Sequence, residues 1–227
     1  MPSKTDRKSF PRRKPFPKFY PILDAGQLQA RAWDISAFAK ELRAAGVELL
    51  QYRNKQGTEQ QMLDDAAQIC AVFAETNAEL IFNDRADLVA PARFHGVHVG
   101  QQDMTPAAAR AIVGGEAIIG VSTHTLEQVA AAEATDCDYI AYGPIFATAS
   151  KANSDPVVGL EGLRNARRAT CKPLVAIGGI TLANCRAVMD AGGDSIAVIS
   201  ELFPRQDGLD APTVRQIAES FRALLGS

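Results

Sequence analysis

A single α/β barrel of eight strand-helix units, a (β/α)8 TIM barrel, is the fold the sequence predicts, and three observations predict it. From Lys18 onward, short apolar runs alternate eight times with longer segments of helical periodicity. The runs are apolar and β-branched without strict alternation, as parallel strands covered on both faces are. Polar clusters follow the carboxy-terminal end of nearly every run, all around the chain, whereas a doubly wound open sheet would gather them at one switch point. The 227 residues suit one such domain over 18–227, preceded by a basic tail over 1–17.

In chain order, the strand FYPIL (19–23) is followed by a helix over 35–45, and VELLQY (47–52) by one over 59–76. ELIFN (79–83) leads into a short helix over 86–92, and GVHVG (96–100) into one over 105–113. AIIGV (117–121), DYIAYG (138–143), PLVAIG (173–178) and DSIAVIS (194–200) precede helices over 125–134, 159–169, 181–191 and 212–224. Each strand with its helix makes a βαβ crossover, and eight of them within one domain close a ring. No internal repeat beyond this alternation and no second domain is evident.

Composition is that of an ordinary globular protein, 47% hydrophobic and 22% charged, which excludes disordered, collagenous and disulfide-rich classes. No run of about eighteen apolar residues is present, which excludes a spanning helix. The net charge of −2 conceals an asymmetry: Lys4, Arg7, Lys8, Arg12, Arg13, Lys14 and Lys18 face only Asp6 in the first eighteen residues, and the other 209 carry −8. An acidic body speaks against a nucleic-acid partner. The tail has Pro2, Pro11, Pro15 and Pro17 and no apolar stretch, so it reads as a disordered extension rather than a secretory or transit peptide. Cys70, Cys137, Cys171 and Cys185 have neither CxxC nor metal-finger spacing, and reduced structural thiols of a cytoplasmic protein are expected. The expected partners are small-molecule substrates, with no membrane; a homo-oligomer is compatible with a sequence that carries no motif fixing assembly.

In VELLQYRNK the period of two puts Gln51, Arg53 and Lys55 on one strand face, at the barrel mouth. An amide, a guanidinium and an ammonium in line suit phosphate oxygens, because adjacent cations repel unless an anion lies between them. Incidental charges on a solvated loop are the bland alternative. Asn83-Asp84 ends the third run and Gln101-Gln102-Asp103 follows the fourth, so two carboxylates occupy successive loops of one face. Mg2+ accepts one or two carboxylates completed by water and substrate phosphate, and with the neighbouring cations this suggests a metal-bound diphosphate; helix capping competes as a reading of each aspartate. His95 and His98 face opposite ways on a strand. His98 points inside, either toward a heterocycle or as a hydrogen-bonded core residue. His124 could serve acid/base chemistry or lie at the entrance to a helix, and with no obvious carboxylate partner the second reading is favoured. Gly178-Gly179-Ile180-Thr181 and Ile199-Ser200 sit after strands seven and eight, where barrels build a phosphate site. The long loop from Pro144 to Val158 adds Thr148, Ser150 and Lys151. Two anion sites imply two phosphorylated groups.

In this order and spacing the motifs resemble the thiamine phosphate synthase family. The resemblance runs from about Phe19 to Phe203 and rests on Gln51-Tyr52-Arg53-Asn54-Lys55, Asn83-Asp84-Arg85, His98 to Asp103, Gly120 to Thr125, Gly143 to Phe146, Ile177 to Ile180, and Val198-Ile199-Ser200. It implies a TIM barrel that condenses 4-amino-5-hydroxymethyl-2-methylpyrimidine diphosphate with hydroxyethylthiazole phosphate, or its carboxylated form, giving thiamine phosphate and diphosphate with Mg2+. It implies that Gln51, Arg53, Lys55, Asn83, Ser122 and Lys151 hold the pyrimidine diphosphate, with Tyr52, Asn54 and His98 beside them. Asp84 and Asp103 would ligate Mg2+, and Thr148, Ala149, Ser150, Gly179, Ile199 and Ser200 would hold the thiazole phosphate. Arg53, Lys55, Ser122 and Lys151 form the expected catalytic set. The sixth loop carries Ser150 where the family usually has a second threonine.

The implied reaction is dissociative: diphosphate leaves the aminopyrimidine carbon first, and the thiazole nitrogen captures the cation. It needs neutralised leaving oxygens and correct placement rather than a protein nucleophile, and no Ser-His-Asp or Cys-His constellation is found. The alternative is a metal-independent thiazole tautomerase on the same barrel with His124 as acid and base. That chemistry has no need of the Gln51, Arg53 and Lys55 motif or of two metal carboxylates. A non-catalytic phosphate-binding barrel would not need the complete set either.

Overall fold

The computed structural model describes residues 15–148, 155–203 and 213–226. Eight strands, β1 (Phe19–Asp24), β2 (Leu49–Arg53), β3 (Glu79–Asn83), β4 (Gly96–Val99), β5 (Ile118–Thr123), β6 (Tyr139–Tyr142), β7 (Leu174–Ile177) and β8 (Ser195–Val198), pair in parallel in chain order, and β8 closes on β1. The barrel expected from the alternation is the one observed. Around it lie α1 (Ala25–Gln29), α2 (Ile35–Ala44), α3 (Glu59–Phe73), α4 (Ala86–Val89), α5 (Pro106–Val113), α6 (Leu126–Glu133), α7 (Gly159–Ala169), α8 (Cys185–Asp190) and α9 (Val214–Leu225).

Local chemistry sets the helix limits. Asp34, Thr58, Thr105, Thr125 and Thr213 each accept a backbone N–H from three residues ahead, and Pro106 opens α5. Three helices fall three or more residues short of the spans the periodicity predicts. α3 stops at Phe73, whose carbonyl accepts both the N–H and the hydroxyl of Thr76. Pro91 brings no backbone N–H to the ladder, and α4 ends at Val89 with Ala90 still helical at φ −69° and ψ −48°. The Asn184 side chain accepts the Thr181 N–H at 2.8 Å, holding a turn ahead of α8, which starts only at Cys185. The five-residue α1 is too short to show a period in the sequence.

Strand alternation divides the core in two. Leu23, Leu50, Tyr52, Phe82, Val97, Ile119 and Ile140 face the helices, while Tyr20, Ile22, Leu49, Ile81, Ile118, Tyr139, Ala141, Val175 and Ala197 fill the lumen. Tyr139 has room in the lumen because of a glycine: a Cβ on Gly120 would lie 2.0 Å from Tyr139 Cζ. At the closing seam Phe221 of α9 stacks on Phe19 at 5.1 Å, and Lys18 Nζ donates to the Leu225 carbonyl at 2.8 Å. All four cysteines are free thiols, as their spacing predicts. No helix among the described residues is long and apolar enough to cross a membrane.

Within the span expected as tail, Phe16 lies 5.3 Å from the Tyr139 ring and packs on the lumen core. Residues 1–14 of the expected disordered tail lie outside the described residues. A protein beginning at Lys18 is expected to be about 1–2 kcal/mol less stable than one beginning at Pro15, because part of an aromatic side chain's burial is lost. Equal denaturant midpoints for the two would show that the ring contributes nothing.

Candidate active site

The carboxy-terminal ends of the strands surround a cavity of about 390 Å³. Its wall brings together nine of the residues expected from the sequence: Gln51, Arg53, Asn83, His98, Ser122, Thr148, Gly179, Ile199 and Ser200. Each strand contributes the inward member of its alternation, so positions far apart in the chain meet at one level of the barrel. Lys55 and Asp84 pair at the rim next to Asn83 and do not line the cavity itself. Ala149, Ser150 and Lys151 lie outside the described residues.

Two expected site residues face the other way. Tyr52 is fully buried between barrel and helices, where its hydroxyl donates to Asp65 at 2.6 Å. Asn54 donates to Tyr52 Oη at 3.1 Å, accepts the Gly57 N–H at 2.7 Å, and lines a separate surface groove with Gln61 and Asp65. The period of two that aims Gln51, Arg53 and Lys55 at the mouth turns Tyr52 and Asn54 away from it. They hold the β2 end in place rather than touching the cavity.

The charged groups meet in pairs. Arg53 bonds Asp24, the last residue of β1, whose other oxygen accepts the Gln27 N–H at 2.9 Å to cap α1. Asp24 is only 6% exposed, and an acid at a strand's carboxy-terminal end is the signal that could have marked it in the sequence. Lys55 bonds Asp84, which in turn contacts Asp103. Neither aspartate caps a helix through its side chain. Asp84 sits in left-handed backbone with φ 63° before an uncapped α4, and Asp103 accepts the Gly100 N–H at 2.8 Å while Thr105 caps α5. Burial pushes the Asp84 carboxyl up, Lys55 pulls it down and Asp103 pushes it up further, leaving it raised. Burial also opposes ionisation of Asp103, but the hydrogen bonds from Asp84 and the Gly100 amide, with the Lys55 charge, hold it below the usual range. The two facing carboxylates thus differ, with Asp84 the harder of the pair to ionise.

Beside them, Asn83 Nδ2 is buried with no hydrogen-bond partner among the described residues. A buried donor left open costs free energy until an acceptor arrives. On the far side of the cavity Gly178 and Gly179 adopt φ of 100° and 63°. A Cβ on Gly178 would meet Pro144 at 2.5 Å and one on Gly179 the Ala147 carbonyl at 2.5 Å, so glycine is required for this turn to nest against the loop after β6. Thr148 and Ser200 line the same corner.

The two histidines of the site have different surroundings. His98, 7% exposed, is bonded through both ring nitrogens, to Tyr139 Oη at 2.9 Å and Ser122 Oγ at 2.8 Å, and still lines the cavity. His124 bonds the Gly143 carbonyl at 2.7 Å through Nδ1, and its Nε2 stands 3.4 Å from Asp155. That carboxylate, delivered by the far end of the loop after β6, is the neighbour the sequence does not reveal.

Eight parallel strands with a cavity at their carboxy-terminal ends, mostly apolar and set with a few amide, hydroxyl and charged side chains, define a (β/α)8-barrel enzyme whose site is at the mouth. Residues 19–202 match the family described as Thiamine monophosphate synthase. The chain belongs to that family, and with it to the transferases. It is 53% identical over 194 residues to a thiamine-phosphate synthase of Koribacter versatilis, covering 84% of this chain and 92% of that one. A thiamine-phosphate synthase of Chloroflexus aurantiacus is 37% identical over 208 residues, covering 92% of each chain. The solved structure of a thiamine phosphate pyrophosphorylase from Pyrococcus furiosus superimposes with a TM-score of 0.79 at 31% identity, covering 92% of this chain and 95% of that one.

Proposed function

We propose that this protein joins an aminopyrimidine methyl diphosphate to a thiazole phosphate, releasing diphosphate and forming thiamine phosphate. One observation carries the reading: the open Asn83 donor and Arg53 line one side of a cavity, with Lys55 and the Asp84–Asp103 pair at the rim beside them, and the other side is a Gly178-Gly179 turn. The first group suits a diphosphate and the second a monophosphate. Arg53 and Lys55 neutralise the leaving oxygens, Asn83 orients them, and the Gly178-Gly179 turn holds the acceptor in reach of the reacting carbon. The tautomerase alternative gains no support from the relatives, which carry synthase names. Incubation of the purified protein with both substrates and Mg2+ should yield thiamine phosphate and diphosphate in equal amounts. Failure to form either overturns the reading.

Mg2+ fits the donor set on chemical grounds. Two carboxylates face each other, Asp103 opposing ionisation of Asp84 alongside burial, and a divalent cation relieves that repulsion. No group of three or more metal-binding side chains exists among the described residues, so substrate phosphate and water would complete the shell, as Mg2+ prefers. When bound it supplies charge neutralisation on the diphosphate.

The raised Asp84 makes this testable through pH. A proton on Asp84 competes with a metal, so apparent Mg2+ affinity is expected to rise with pH through the raised Asp84 pKa and level off above it. Asp84→Asn should weaken Mg2+ activation and flatten that pH dependence, and Asp103→Ala should weaken activation without unfolding the barrel. Mg2+ titrations of activity like the parent's in both variants would remove the two-carboxylate site.

A further inference from the structure

Five polar side chains form one hydrogen-bonded line across the lumen. Gln51 Nε2 donates to Tyr20 Oη at 3.0 Å, Tyr20 Oη meets Tyr139 Oη at 2.9 Å, Tyr139 Oη meets His98 Nδ1 at 2.9 Å, and His98 Nε2 meets Ser122 Oγ at 2.8 Å. Both ends of the line, Gln51 and Ser122, face the cavity. The two tyrosines between them are no more than 1% exposed.

A hydroxyl has one proton to give, so two hydroxyls between two bifunctional ends impose a direction on the whole line. With the Gln51 amide as placed, Tyr20 gives its proton to Tyr139, and Tyr139 gives its own to His98 Nδ1. A neutral His98 then carries its proton on Nε2 and gives it to Ser122, whose hydroxyl proton is left for the cavity. A ligand therefore meets an acceptor, Gln51 Oε1, and a donor, the Ser122 hydroxyl. Turning the amide over reverses every link, and the ligand then meets a donor at Gln51 and an acceptor at Ser122. Two donors or two acceptors at once would leave either opposed lone pairs or a hydroxyl proton without an acceptor, buried between the tyrosines, and such groups are costly to leave unpaired.

We propose that Tyr20, Tyr139 and His98 form a positioning relay that ties the hydrogen-bonding polarity of Gln51 to that of Ser122, so that the cavity selects a heterocycle presenting one donor and one acceptor. An aminopyrimidine, with its exocyclic amine beside a ring nitrogen, has that pattern. The choice of ligand rests on the function proposed above, whereas the coupling rests on the hydrogen bonds alone. None of the three relay residues is assigned a chemical step. Their effect is to fix which way the contacting groups point.

The test separates the two parts. In 15N NMR of histidine-labelled protein at alkaline pH, with the ring assigned through His95→Gln and His124→Gln, free His98 is expected as one tautomer protonated on Nε2. Tyr20→Phe removes a hydroxyl that does not touch His98, yet is expected to convert that signal to a mixture of tautomers. The same variant should raise KM for the pyrimidine diphosphate about tenfold while leaving KM for the thiazole phosphate within about twofold, a split that general loosening of the barrel would not give. If Tyr20→Phe fails to fold, Gln51→Leu at the mouth cuts the same line and repeats the NMR measurement. A mixed tautomer in the parent, or a folded variant whose His98 keeps the single Nε2-protonated form, overturns the relay. The NMR measurement needs no substrate, so inactivity toward the pyrimidine diphosphate would overturn the proposed function and leave the relay to be judged by the tautomers.

Discussion

Arg53→Ala is expected to lower turnover about a hundredfold to a thousandfold, equivalent to about 3–4 kcal/mol of transition-state stabilisation, as well as weakening affinity for the diphosphate substrate. The reason is where the guanidinium stands. It lines the cavity at the end of β2 and is anchored by Asp24, a buried carboxylate that also caps α1. A donor held this way needs little reorganisation when negative charge grows on the departing oxygens, and its contact is strongest at that moment. If Arg53 contributed only ground-state binding, KM would rise and turnover would be spared. Asp24→Asn, which keeps a capping oxygen but removes the charge beside Arg53, should produce a smaller loss in the same direction, about tenfold in turnover. Turnover unchanged in both variants, measured where chemistry limits the rate, would defeat the assignment of Arg53 to the leaving group.

Gly120→Ala is expected to destabilise the protein by about 3 kcal/mol or more, at the upper end of what a single added methyl costs in a packed core. The added Cβ would lie 2.0 Å from Tyr139 Cζ and 2.3 Å from its hydroxyl oxygen. The ring has nowhere to retreat, because it packs at 5.9 Å against Tyr20 and at 5.3 Å against Phe16. In a Tyr139→Leu background the same substitution should cost much less, since the clashing atoms are gone, and a double-mutant cycle in urea measures the difference. Equal costs in the two backgrounds would show that the strain lies elsewhere.

The fold was readable because each strand carries its own signal: an apolar run followed by polar residues. The same period of two gave Gln51, Arg53 and Lys55 their common direction. It also argues against Tyr52 and Asn54, which entered the expected site through the contiguous motif and turn outward, as the alternation requires. What the sequence could not show are pairings made only by closing the ring. Asp24 and Arg53 are 29 positions apart and become neighbours through the register of β1 on β2. Tyr20 and Tyr139 are 119 positions apart and meet because β1 and β6 face each other across the lumen. His124 lacked a visible carboxylate because Asp155 arrives on the returning end of a long loop. The capping alternatives for Asp84 and Asp103 could be settled only by backbone geometry, which a single sequence does not display.

Phe16, Tyr20 and Tyr139, packed tilted and edge to face across the barrel, give the cavity a floor. A blind sac imposes a queue. Whatever rests deepest, against Gln51 and His98, must enter ahead of the molecule that covers it and can depart only after the way above has cleared. The exchange of the two substrates and two products is therefore expected to follow a fixed sequence, legible as competitive product inhibition against the first ligand to arrive and noncompetitive inhibition against the second. On that expectation the order of traffic is set beneath the cavity, by aromatic rings that hold no substrate phosphate.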